Sequence, residues 1–252
     1  MILTRVRSLR QICLVLEYEG TEYHGWQRQP ELTTIQEIIE NTLGRITGEK
    51  TTIMAAGRTD AGVHALGQVA AFRTGSRLTP GEFRRALNAL LPQDIRIKEA
   101  AEVSFDFHPQ FRALKKTYLY IILNRPSPTA LIHHRCWHIS RPLKVKEMRE
   151  GALFLVGRHD FSSFMSSSGT TRSQIRHMTR CEIQEKGSLI ELWFEADGFL
   201  KNMVRNMVGT LVDIGLGRYP PGEMEEILEA GDRRRAGPCA PPHGLYLVSI
   251  DY

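Results

Sequence analysis

AAGRTDAGVHALGQVAAF, residues 55–72, is the stretch from which the rest of the chain is read. Two short runs of small and β-compatible residues, 51–56 and 68–74, flank a polar turn holding Gly57, Arg58, Thr59, Asp60, Gly62 and His64. That pattern predicts strand, loop, strand. Glycines at 57 and 62 permit positive φ and close backbone approach to a ligand. Arg58 and Asp60 place a guanidinium and a carboxylate two residues apart on a tightly turning chain. Such a pair can act on a phosphorylated substrate without a metal.

Outward from the turn, residues 11–18 alternate as a strand, and 20–30 form a polar turn in which Trp26 stands between His24 and Gln27-Arg28. An exposed indole beside an arginine suits stacking on a base; an indole covering the core edge is the other possibility. Thr34 and Glu37 predict a capping box before Ile35, Ile38, Ile39, Leu43 and Ile46, whose 3 and 4 spacing makes an amphipathic helix ending near Gly48. Beyond the turn, Thr79, Pro80 and Glu82 give a second capped start, for a helix running to about Leu91 and stopped by Pro92. Residues 95–103 and 116–124 then read as strands.

Strand, helix, strand, strand, helix, strand is the ferredoxin-like split βαβ order, here with one extra strand. After Arg125-Pro126 the order repeats. A short strand is expected at 135–139, a helix at 145–156, a hairpin of 176–186 and 189–196 about Gly187-Ser188, a long helix at 200–216 and a closing strand at 245–252. Asp197-Gly198 reads as a helix-capping turn. The expected fold is therefore α+β, with two ferredoxin-like (RRM-like) units, residues 1–125 and 126–252. Their antiparallel sheets are expected to meet at a central catalytic cleft that accommodates an RNA loop.

With 252 residues, 42% hydrophobic and 24% charged, the chain has an ordinary globular composition. No apolar run reaches the roughly 18 residues of a membrane span. MILTRVRSLRQICLVLEY has no cleavage region, because its apolar part continues into an amphipathic strand. A cytoplasmic location is expected. Cys13, Cys136, Cys181 and Cys239 are scattered, with no C-x-x-C pair and no histidine at ligand-like spacing. Neither a zinc site nor a disulfide framework is indicated, and mostly buried, reduced thiols are expected. The net charge of +5 favours a polyanionic partner, and residues 1–126 carry 17 Lys and Arg against 13 Asp and Glu, the remainder 16 against 15.

G-R-T-D-A-G-V-H-A, residues 57–65, resembles the catalytic loop of the tRNA pseudouridine synthases of the TruA type. The resemblance extends along the chain. It takes in Glu17-Tyr18 with Gly25-Trp26-Gln27-Arg28-Gln29, Thr34-Ile35-Gln36, Lys116-Thr117-Tyr118-Leu119-Tyr120 and His159-Asp160-Phe161-Ser162-Ser163-Phe164. It continues through Phe199-Leu200 with Met203-Val204-Arg205-Asn206-Met207-Val208-Gly209 and ends at Ala240-Pro241-Pro242-His243-Gly244-Leu245-Tyr246-Leu247. It implies an isomerase that converts uridine to pseudouridine at positions 38, 39 and 40 of the tRNA anticodon stem-loop. The family acts as a homodimer. Because one glycosidic bond moves without net redox change, phosphate transfer or hydrolysis, no cofactor and no metal are expected.

By the same resemblance Asp60 is the essential residue. It attacks or deprotonates the target nucleotide, the alternatives being addition to the sugar, addition to the base and abstraction of a sugar proton. Tyr118 is the platform on which the extruded uracil stacks, and it helps take the proton from C5. Arg205 enters the cleft and pairs with Asp60, leaving Arg58 for a phosphate or for the gap left by the flipped base. Trp26, Arg28, His64 and Phe161 complete the substrate-binding candidates. Read as residues alone, Asp60 caps a turn, Tyr118 and Tyr120 fill a core from one strand face, Arg205 snorkels off a buried helix face, and His64 hydrogen-bonds the loop. Asp160 reads as a cap. Arg172, Arg176 and Arg180 after the serine-rich residues 165–173, and the run Arg233-Arg234-Arg235, are candidate backbone contacts.

Two other classes compete. A non-catalytic RNA-binding module of ferredoxin-like units would have no need of Asp60, Arg58, Tyr118 and Arg205 together. Aspartate-based glycoside hydrolysis would need a second carboxyl as proton donor.

Overall fold

The computed structural model describes residues 9–166, 171 and 173–252. Arg172 and residues 167–170 of the serine-rich segment lie outside them, as do residues 1–8 of the N-terminal stretch. The chain is a mixed α and β protein, and it divides into two compact units. One comprises Met1–Ala113 with Tyr252, the other Leu114–Asp251. Sequence places the join at Arg125-Pro126; it falls earlier because the strand Lys115–Asn124 hydrogen-bonds to strands of the second unit.

In the first unit, β1 (Arg10–Tyr18) pairs antiparallel with β3 (His64–Thr74) and with β4 (Ile95–Val103). The short β2 (Ile53–Ala55) adds to β3 at Ile53↔Phe72. β1 alternates for most of its length, burying Ile12, Leu14, Leu16 and Tyr18 on one face. Against the strands lie α1 (Ile35–Thr47) and α2 (Pro80–Leu90). Ile35, Ile39 and Leu43 from α1 and Phe83 and Leu87 from α2 are fully buried, and the Phe72 and Phe83 rings meet edge-on at 5.3 Å. Each such side chain stabilises the fold by roughly 1.5–3 kcal/mol relative to exposure.

The helix ends follow from local chemistry. At α2 the capping box is complete: the Thr79 hydroxyl accepts the Glu82 N–H, and the Glu82 carboxylate accepts the Thr79 N–H. At α1 the Thr34 hydroxyl accepts from the Glu37 N–H at 3.4 Å, and left-handed Gly48 ends the helix.

In the second unit β5 (Lys115–Asn124) lies between β9 (Leu189–Ala196) and β10 (Leu245–Asp251), and β8 (Ile175–Lys186) and β7 (Gly157–Asp160) continue outward from β9. These pairs are antiparallel; β6 (Trp137–Ile139) joins β5 in parallel. The unit also holds α3 (Val145–Leu153), α4 (Met203–Gly215) and α5 (Glu223–Ala230), whose Met148, Met207, Val208, Leu211, Met224 and Ile227 are buried. No helix among the described residues is long and apolar enough to cross a membrane.

Strand β7, α5 and the short 3-10 turn Pro242–Gly244 have no counterpart in the sequence expectations, whereas the 3-10 turn Ser162–Phe164 falls within residues 159–164, which read as a turn. The long helix begins at Met203 rather than at residue 200, after Asn202 takes a left-handed φ of 59°. Asp197 does not cap it: its Oδ1 accepts the His177 N–H on β8. Of the four free thiols, Cys136 is buried, Cys13 and Cys181 are intermediate and Cys239 is exposed.

Candidate active site

The loop between β2 and β3 is held from below at almost every peptide. Gln68 Nε2 donates to the Gly57 carbonyl at 2.8 Å. The Trp26 N–H donates to the Thr59 carbonyl at 3.0 Å, and the Gly62 N–H donates to the Tyr23 carbonyl. Within the loop the Val63 N–H closes back on the Asp60 carbonyl at 3.1 Å. Gly62 uses its freedom, at φ 76°, whereas Gly57 stays out of the left-handed region.

The consequence is an alternation of side chains. Thr59 is buried, its hydroxyl 2.7 Å from the Tyr18 hydroxyl, while its neighbours Arg58 and Asp60 are exposed and half-buried respectively. A carboxylate and a guanidinium thus leave the rigid turn on the side away from its anchors.

A second loop, residues 20–26, presses on the first through two glycines. Gly25 has φ 85°, and a Cβ there would lie 2.6 Å from the Thr59 carbonyl oxygen. At Gly20 a Cβ would lie 2.0 Å from the Val63 carbonyl oxygen. His64, the first residue of β3, is 2% exposed, and its Nδ1 accepts the Gly20 N–H at 3.0 Å. It therefore fastens the two loops together. Trp26 is 3% exposed with its ring 6.1 Å from that of Tyr18, so of the two readings left open the structure takes the indole packed at the core. Arg28 turns away, to a 2.9 Å ion pair with Glu40 of α1. Glu40 also accepts the Ile53 N–H at 3.0 Å, which ties the entry strand of the loop to the helix.

In the second unit Lys116, Tyr118 and Tyr120 share one face of β5 by strand alternation. The Tyr118 ring meets Phe199 edge-on at 5.0 Å. Tyr120 is fully buried and donates its hydroxyl to the Pro241 carbonyl at 2.8 Å. Arg205, in the first turn of α4, donates from Nε to the Ala240 carbonyl at 2.7 Å, and its own carbonyl accepts the Ala240 N–H. Consecutive carbonyls, Ala240 and Pro241, thus fix the arginine relative to the tyrosine face. Burial pushes the Tyr120 hydroxyl pKa upward, with Arg205 drawing it back. Burial and then Arg176 push Lys116 down. His243, which follows this connector, is also pushed down, by burial first and then by His134 and Arg205, while the Cys136 backbone opposes.

Phe161 is fully buried with Phe164 in the turn before the serine-rich residues. Asp160 behaves as a cap, its Oδ1 accepting from both the N–H and the hydroxyl of Ser162. Ser163 donates to the Ile227 carbonyl, and the Phe164 carbonyl accepts from Asn206, the residue after Arg205. This segment therefore supports the helix carrying Arg205.

The other arginines are engaged locally. Arg233 bonds to Asn206, Arg234 to Asp232, and Arg235 to Glu223 and Glu226. Arg180 pairs with Glu182 and lies over the Trp193 ring at 5.3 Å, and Arg176 donates to the Ser173 and Ile175 carbonyls.

Sequence inspection passed over the anchors Tyr18, Gln68, Gly20 and the Ala240 backbone, although Tyr18 and Ala240 stand inside quoted motifs. Among the described residues no group of three or more His, Cys, Asp or Glu is placed to hold a metal ion.

A family model described as tRNA pseudouridine synthase matches residues 14–112 and 152–252. The chain is 44% identical over 244 residues to the tRNA pseudouridine synthase A of Acetivibrio thermocellus, covering 97% of this chain and all of that protein. It is 45% identical over 242 residues to the proteins of that name from Nitrosomonas europaea (96% of this chain, 89% of that protein) and Bartonella tribocorum (95% and 98%).

Proposed function

The chain belongs to the tRNA pseudouridine synthase family, an isomerase turning uridine into pseudouridine in tRNA, and we propose that Asp60 is its reacting carboxylate and the anticodon stem-loop its target. The single observation that carries this is the loop itself: a backbone pinned at Gly57, Thr59 and Gly62, from which Asp60 and Arg58 project. Preorganised groups of this kind need no rearrangement when charge develops.

In this mechanism the bond between uracil N1 and ribose C1′ breaks, the base turns, and C5 is joined to C1′. The hydrogen on C5 leaves as a proton and N1, which bore none while joined to the ribose, takes one up, so the product is an isomer of the substrate. Tyr118 is the stacking platform for the swung-out base, an interaction worth roughly 1–3 kcal/mol. Arg205, fixed by the Ala240 carbonyl, is the cation assigned to keep the reacting carboxylate ionised. Arg58 takes a phosphate or the space of the flipped base, which offsets part of the few kcal/mol of unstacking. His64 and Trp26 support the loop from behind these groups. The targets are uridines 38, 39 and 40, and the enzyme works as a cytoplasmic homodimer without a cofactor.

Purified protein is incubated with unmodified tRNA carrying tritium at uridine C5, and tritium release is counted. Release from the anticodon arm, abolished in Asp60→Asn while tRNA still binds, is the expected result. Firm binding without release from any tRNA would leave a binding module in its place.

A further inference from the structure

Beneath Arg58 and Asp60 runs a buried polar chain that the chemistry above does not use. Tyr18, Thr59 and Gln68 are 3%, 7% and 0% exposed. The Tyr18 and Thr59 hydroxyl oxygens are 2.7 Å apart. Gln68 Nε2 donates to the Gly57 carbonyl at 2.8 Å and lies 3.5 Å from the Tyr18 hydroxyl, while its Oε1 accepts the Val69 N–H at 3.2 Å. Tyr18 is the last residue of β1, and Gln68 lies inside β3, so both supports stand on paired strands.

Such a chain is costly to bury unless every member is satisfied, and apolar side chains would pack there without that demand. What hydroxyl and amide partners add is direction. They grip the loop on both sides of Arg58, at the Gly57 carbonyl and at the Thr59 hydroxyl. Turning Thr59 inward obliges its two neighbours to point outward, and these are the groups assigned to the reaction.

We propose that Tyr18 and Gln68 are positioning residues for the isomerisation, holding Arg58 and Asp60 at their working angle through Thr59 and Gly57. This rests on the assignment of Asp60 as the reacting carboxylate. Burial raises the Tyr18 pKa to about 12, so its O–H is retained as a donor throughout the neutral range. Either hydroxyl of the Tyr18–Thr59 pair can donate to the other.

A merely structural role would lower the melting temperature and leave turnover per folded molecule unchanged, so the test separates kcat from KM. Tyr18→Phe, Thr59→Val, the double variant and Thr59→Ser are compared in the tritium assay beside Asp60→Asn, with tRNA affinity and melting measured for each. Tyr18→Phe and Thr59→Val are expected to lose about tenfold in kcat with KM and tRNA affinity within about twofold of wild type, the scale of one oriented hydrogen bond. The double variant is expected to be no slower than the slower single one, because both cut the same link. Thr59→Ser keeps the hydroxyl and is expected to recover most of kcat.

Normal kcat in Tyr18→Phe, fully multiplicative losses in the double variant, or a Thr59→Ser as slow as Thr59→Val would each overturn the proposal. Should Tyr18→Phe not fold, the Thr59 pair decides it alone. If Asp60→Asn turns over like wild type, the catalytic assignment fails; if it is inactive and Tyr18→Phe is normal, only the positioning role fails.

Discussion

Replacing Gly25 with alanine puts a methyl group where the structure leaves no room for one. The new Cβ would stand 2.6 Å from the Thr59 carbonyl oxygen, 3.0 Å from the Asp60 carbonyl carbon and 3.1 Å from the Ala61 nitrogen. All three are backbone atoms, and the loop is tethered by Gln68, Trp26 and Tyr23, so no side chain can swing aside to relieve the clash. The left-handed backbone at φ 85° adds about 1–2 kcal/mol for any residue with a Cβ. With one or two loop hydrogen bonds weakened at about 1 kcal/mol each, the total is about 2–4 kcal/mol. At roughly 2–4 °C per kcal/mol for a chain of this size, the melting temperature should fall by about 8 °C.

To reach a tolerable contact the Thr59–Asp60 peptide must retreat by about half an ångström, which on a scale of roughly a hundredfold per ångström is about tenfold in kcat. Gly48→Ala is the control. Gly48 is equally left-handed, at φ 71°, but nothing lies within 4 Å of its would-be Cβ. It should lose about 1 kcal/mol of stability and no turnover. The assays are thermal melting and tritium release under saturating tRNA. Equal effects of the two substitutions on kcat, or a Gly25→Ala enzyme that turns over normally, would refute the claim that the second loop aims the first.

Other perturbations test the same framework. Tyr118→Leu should keep its fold by circular dichroism and lose about 10- to 100-fold in kcat/KM, the value of base stacking. Glu40→Ala leaves the Ile53 N–H unpaired and releases Arg28, and should lower stability by about 2–3 kcal/mol in a denaturant titration. Arg58→Ala should weaken tRNA binding and flatten its salt dependence, whereas Arg234→Ala should leave both unchanged because Asp232 already holds that guanidinium. The Tyr18 pKa is raised from 10.0 to about 12 in the fold. Its contribution to stability is thus complete below pH 10 and is lost as pH rises through 12, and Tyr18→Phe should flatten the fall in melting temperature across that window.

Much of the framework is legible because it depends on neighbours in sequence. Thr79-Pro80 with Glu82, the alternation of residues 189–196 and the turn at Gly187-Ser188 each encode their element within a few residues, and each is found where expected. The acidic, exposed-looking segment that forms α5 carries only Met224, Ile227 and Leu228 as buried anchors in eight residues, too few to mark a helix in advance. Trp26 and Phe161 show the limit from the other side. Aromatic residues beside polar ones suit an exposed site or a buried support equally well, and only packing against Tyr18 or Phe164 tells the two apart.

By itself the sequence determined the α and β character, the order of most elements, the family, and the loop on which Arg58 and Asp60 stand. Those features are written in short-range spacing and in a contiguous motif. Tertiary structure decided which polar residues hold that loop and which are held elsewhere: Tyr18 and Gln68 come from 41 and 9 positions away from Thr59, and Arg28 leaves for Glu40. A hydrogen bond needs its two atoms within about 3 Å in the right direction, and that coincidence exists only once distant strands have paired.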